Sequence, residues 1–188
     1  HEEISLSSLS SSDYSQLPEL VNFLMEECDR RGVNISLPSL RIDAFSLDVM
    51  KKVQDIKKSS LTFAPEAGSQ RLRDVINKGL TREVILEGAG KAFEGGWNKV
   101  KLYFMLGLPT ETEDDMKGIA HLCEEIAERY YEIPKDQRSG KCQITASTSF
   151  FVPKPFTPFQ WAPMCREEEF LDRARIVREE IHAQLNQK

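Results

Sequence analysis

Apolar residues in this chain fall into two alternating patterns, short runs of strand type and longer stretches with helical spacing. The run 3–9, with Ile4, Leu6 and Leu9, predicts a first strand. A helix around 15–31 follows, with Leu17, Leu20, Val21, Leu24, Met25 and Cys28 on one face and Gly32 as its stop. A second strand is expected near 33–37. Ser46 reads as the N-cap of a helix carrying Leu47, Met50, Val53 and Ile56, ahead of a third strand at 60–64. Ser69 is suited to cap the next helix, whose apolar positions Leu72, Val75 and Ile76 run up to Gly79 as the stop. Thr81 starts another helix through Val84, Ile85, Ala89, Ala92 and Phe93, ended by Gly95 and Gly96. Strand four, 99–106, is unusually apolar and is expected at the centre of a sheet. Thr112, Glu113, Asp114 and Asp115 make an acidic helix start that suits the positive end of the dipole, and Met116, Ile119, Leu122, Cys123 and Ile126 continue it. A polar link at 134–141 leads to strand five at 143–152, and a last helix bears Phe170, Ala174, Val177, Ile181 and Leu185.

Strands each followed by helical sequence imply parallel pairing with right-handed crossovers, hence an α/β fold. Such units wind into an open sheet or curve into a barrel, and both bind ligands at the carboxyl ends of the strands. The segments 64–69, 107–112 and 152–161 all follow strands and so share one rim. The 188 residues, 40% hydrophobic and 29% charged, suffice for one packed core, so residues 1–188 are expected to form a single domain. A formal charge of -5 lacks the basic excess that phosphate contacts need, which argues against a nucleic-acid partner. No apolar run approaches a membrane span and no signal pattern opens the chain, so a cytoplasmic protein with no membrane contact is expected.

Cys28, Cys123, Cys142 and Cys165 are too far apart to form a local metal knuckle. Cys28 and Cys123 lie on apolar helix stripes and read as small buried hydrophobes. His1, His121 and His182 are scattered singly. At the rim, Gly68 and Ser69 open a helix with free backbone N–H groups, and Glu66 beside them could accept hydrogen bonds from a sugar diol. Lys78 could reach a carboxylate, or it could complete a helix C-terminus while Glu66 merely supports the turn. Gly107 either permits a turn or lets backbone approach a ligand. The prolines and aromatics of 153–163 make a stiff, apolar-faced loop that either plugs the fold or meets a substrate through Phe156, Phe159 and Trp161.

Pro65-Glu66-Ala67-Gly68-Ser69 with Leu72 and Lys78, and Gly107-Leu108-Pro109-Thr110-Glu111-Thr112, resemble the fourth- and fifth-strand motifs of radical S-adenosylmethionine (SAM) enzymes. Ser36-Leu37-Pro38-Ser39-Leu40-Arg41 is similar to the third-strand segment, and 151–161 resembles that of a branch often linked to a cobalamin-binding-like domain. The resemblance implies a parallel-strand partial TIM-type barrel of five βα units. It implies that Glu66 meets the SAM ribose and that Lys78, with Arg41, holds the methionine carboxylate. Gly68, Ser69, Gly107 and Leu108 would shape the pocket. It further implies a [4Fe–4S] cluster that cleaves SAM to a 5′-deoxyadenosyl radical and an electron donor such as flavodoxin or ferredoxin, and it leaves the use of cobalamin open. Two departures stand out. The CxxxCxxC cluster loop and first strand are missing, so an N-terminal remainder of the polypeptide would supply them and this portion alone would be inactive; and Tyr103 stands where several relatives carry a ribose-binding aspartate. The alternatives are an α/β domain holding a phosphorylated metabolite at Gly68 and Ser69, or a non-catalytic docking module.

Overall fold

Local chemistry sets where the elements begin and end. In the computed structural model, which describes residues 3–5, 14–36, 61–138 and 140–185, β1 (Glu3–Ser5) and β2 (Asn34–Ser36) pair in parallel around α1 (Leu17–Arg31). Gly32, at φ 63, turns the chain out of α1 as its position suggests. The remainder of the first predicted strand, the helix around 46–56 and Arg41 lie outside the described residues. Next come β3 (Leu61–Glu66), α2 (Gln70–Val75), α3 (Arg82–Glu94), β4 (Lys99–Leu106), α4 (Glu113–Tyr131), β5 (Gln143–Phe150) and α5 (Glu167–Leu185). A short 3-10 turn, Lys135–Gln137, sits in the polar link. Ser69, Thr81 and Thr112 cap α2, α3 and α4 with their side-chain oxygens, as the sequence pattern predicts.

The strands β3, β4 and β5 form a parallel sheet with β4 in the middle, Leu102 standing opposite Phe63 on one side and Ala146 on the other. Central placement was expected of β4, but burial of only its alternate residues was not. Val100, Leu102, Phe104 and Leu106 are fully buried, whereas Lys99 and Tyr103 are exposed and Lys101 and Met105 half-buried. Among the described residues, only one face of the sheet is therefore core. There α3, α4 and α5 lay Ile85, Phe93, Ile119, Ile126, Tyr130 and Val177 against Phe63, Val100, Leu102 and Phe104. Burial of side chains of this size stabilises by about 1.5–3 kcal/mol each, which makes this interface the main source of cohesion.

A smaller cluster marks the carboxyl ends of the strands. Ala67, Leu72, Leu108 and Phe151 are buried together, with Met105, Phe159 and Ala162 against them. The three segments that follow β3, β4 and β5 therefore do meet on one rim.

Candidate functional site

At the end of β3 the register with β4 slips between Phe63 and Glu66, so that Glu66 faces Phe104 and adopts a left-handed backbone at φ 67. Such a conformation in a residue with a Cβ is a local cost that recurs at ligand sites. Glu66 accepts a hydrogen bond from Lys78 Nζ at 3.4 Å, with the two side chains 25% and 35% exposed. Lys78 arrives there through a Schellman turn. Its N–H donates to Arg73 O at 2.8 Å, the Asn77 N–H donates to Asp74 O at 3.0 Å, and Asn77 takes φ 54. Asn77, and not the expected Gly79, is thus the left-handed residue that ends α2. Asn tolerates that region because its side chain hydrogen-bonds locally.

Gly68 and Ser69 have a packing duty that their position at a helix start did not reveal. A Cβ on Gly68 would lie 2.3 Å from Ile119 N and 2.5 Å from Asp115 O, so only glycine lets the β3–α2 loop rest on the α4 backbone. The Ser69 hydroxyl caps Leu72 N–H and donates to the Asp115 carboxylate. Asp115, 3% exposed, also accepts from Arg71 and from the backbone N–H and hydroxyl of Thr112, both at 2.8 Å. Arg71 in turn donates to Thr110 O at 2.7 Å. One carboxylate thereby ties the loop after β3 to the loop after β4. Burial alone would raise its pKa, but the bonds from Arg71, Ser69 and Thr112 outweigh burial and hold it at about 2. Arg73, fully buried, props the same loop by donating to Ala67 O at 2.9 Å and Gly68 O at 3.2 Å. Burial pushes its pKa down, with nearby acids opposing. The sequence pattern named Asp115 only as part of an acidic helix start and did not single out Arg71 or Arg73, although the Thr112-x-x-Asp115 spacing is a capping-box signal.

Beyond β4, Gly107 sits at φ 81, and a Cβ there would lie 2.8 Å from the Phe170 ring and 3.0 Å from Cys165 Sγ. Leu108 is buried in the rim cluster. The Gly107 N–H donates to Glu111 at 2.8 Å, and Glu111, its side chain 2% exposed, pairs with Arg173 at 2.6 Å. Burial raises the Glu111 pKa against the pull of Gly107 and Arg173. Gly107, Leu108, Glu111, Cys165 and Arg173, with Pro109 and Met164, line an open cleft of about 240 Å³.

The aromatic loop divides in two. Phe159 meets Phe151 edge-on at 6.2 Å and packs, partly buried, against the rim cluster. Phe156 and Trp161 stand in solvent, 98% and 88% exposed.

Residues 1–123 match the model of the radical SAM superfamily. The chain belongs to that superfamily. It is 38% identical over 158 residues to an uncharacterised protein of the archaeon Methanocaldococcus jannaschii, covering 84% of this chain and 32% of that protein. The chain thus spans about a third of the length of this curated relative. Its fold is similar to that of coproporphyrinogen III oxidase (HemN) from Escherichia coli, described as a radical SAM enzyme, at a TM-score of 0.61, with 15% identity over 99% of this chain and 40% of that one. The parallel α/β architecture is accordingly that of a radical SAM barrel, in part. Glu66, Gly68, Ser69, Lys78, Gly107 and Leu108 all fall within the residues matched by the family model.

Membership implies SAM and a [4Fe–4S] cluster, and the two fare differently against the residues present. A carboxylate and an ammonium side by side at the rim suit a ribose diol and an amino-acid carboxylate. The cysteines do not suit a cluster: Cys28 is buried, burial raises Cys123 to about 12 and Cys142 to about 11, and no group of three metal-binding side chains occurs among the described residues. No described helix is long and apolar enough to cross a membrane.

Proposed function

We propose that this chain carries the SAM-holding wall of a radical SAM iron–sulfur oxidoreductase whose cluster cysteines lie elsewhere in the polypeptide. The observation that supports it is the Glu66–Lys78 pair, half-open at the carboxyl ends of the strands and within the family-matched residues. SAM in this superfamily supplies, on one-electron reduction, a carbon radical that abstracts hydrogen. The work of this chain is to bind and orient. Glu66 Oε atoms accept from the ribose hydroxyls, and Lys78 Nζ leaves its 3.4 Å contact with Glu66 to hold the methionine carboxylate. The Gly107–Leu108 turn borders the adenine side of the pocket. Gly68, Ser69 and Asp115 hold the two loops at fixed separation.

The test is SAM affinity of the full-length protein by calorimetry. Lys78→Ala should weaken binding roughly ten- to a hundredfold, the usual worth of a charge-assisted hydrogen bond, with Lys78→Arg retaining part of it. Folding should survive, since both partners of the pair are part-exposed. Affinity unchanged by Lys78→Ala and by Glu66→Gln would overturn the assignment.

A further inference from the structure

A parallel sheet covered on both faces reads as continuous apolar runs, and a filled barrel is packed with Val, Ile and Leu. The face of β3–β4–β5 turned away from the helices has neither character. Thr62, Lys101 and Thr145 stand opposite one another in one row across the three strands, and Tyr103 stands opposite Ser147 in the next. Lys101 Nζ lies 4.7 Å from the centroid of the Tyr103 ring, and among the described residues no carboxylate pairs with it. The four hydroxyls likewise have no hydrogen-bond partner among the described residues. All five groups can donate, and Lys99 adds a second cation on the same face.

We infer that this wall is a binding surface for an oxyanion of the substrate, a phosphate or carboxylate group seated on Lys101 among the hydroxyls of Thr62, Tyr103, Thr145 and Ser147. An ammonium surrounded by hydroxyl donors matches the acceptor-only character of such a group. The cation–π contact keeps the ammonium over the wall and does not neutralise it. Phe104, which is paired with Glu66, lies three positions along β4 from Lys101. At the rise of a strand this is about 10 Å, which sets the anion site apart from the proposed SAM site along the sheet. The inference rests on the proposed SAM site at Glu66 and Lys78.

Lysine acylation of the full-length protein, read site by site by mass spectrometry, tests it. Inorganic phosphate or acetate should slow labelling of Lys101 several-fold while Lys154, remote from the wall in sequence and on the exposed loop, is unaffected; the stronger anion identifies the source. Protection of Lys99 by the same anion should persist in Lys101→Arg and be lost in Lys101→Gln. Neither anion slowing Lys101 would overturn the inference, and so would a Lys101 that is unreactive without ligand, because the rest of the polypeptide would then cover it. SAM should slow labelling of Lys78 in the same samples. Failure of that arm alone would count against the cofactor site, whereas failure at Lys101 alone would remove only the substrate wall.

Discussion

Two residues at the rim show how tightly its loops are held. Replacing Gly68 by alanine drives a methyl group into the α4 backbone at Ile119 and Asp115, and neither a rotamer change nor a side-chain shift relieves a backbone clash. Gly68→Ala should cost about 2–3 kcal/mol, at the high end of overpacking penalties, seen as a lower urea midpoint at unchanged slope. An unchanged midpoint would mean that the loop lifts off the helix freely. Asp115 sets a pH dependence. Its folded pKa of about 2 lies below the ordinary 3.8, so its contribution is complete above about pH 4 and is lost as pH falls toward 2. Asp115→Asn should flatten the stability profile in that window and lower stability at pH 7 by about 2 kcal/mol. Equal acid profiles for the two proteins would show that Asp115 is not held ionised by Arg71, Ser69 and Thr112.

Among the elements, the end of α2 has the sharpest consequence, because it delivers Lys78 to the rim. Asn77 bears the left-handed backbone while Gly79 has open space and a φ outside that region. Asn77→Gly should therefore stabilise by a few tenths to about 1 kcal/mol, and Gly79→Ala should be neutral or stabilising by up to about 1 kcal/mol. Thermal unfolding of the two variants decides it: a marked loss from Gly79→Ala would restore the glycine as the turn residue. Helix starts were legible because a capping side chain acts within three residues, as Ser69, Thr81 and Thr112 do. The stop was misread because Asn and Gly compete for the same backbone region and only the hydrogen bonds of Asn77 and Lys78 tell them apart.

At the scale of the molecule, parallel pairing and the shared rim followed from the alternation of strands and helices, which is a local signal summed along the chain. What each face of the sheet does was not so legible. Lys99, Lys101 and Tyr103 are visible within the run 99–106, yet the reading of β4 as an apolar central strand passed over their period of two. At the site, Glu66 and Lys78 came through because they lie in a recognisable motif and indeed meet. Arg71 and Asp115 did not, since the ties of Asp115 to Ser69 and Arg71 span 46 and 44 residues and no local pattern announces them; Arg73 did not because its nearby partners are backbone carbonyls, which carry no sequence signal. Ser69 and Thr112 share no bond, but both bond Asp115. In a double-mutant cycle, Ser69→Ala and Thr112→Ala should depart from additivity by more than about 0.5 kcal/mol, and simple additivity would mean that the carboxylate serves the two loops separately. Non-additivity would make the loops a single thermodynamic unit, so that an anchor engaging Glu66 on one side would be felt, reciprocally, by whatever leans on Leu108 on the other.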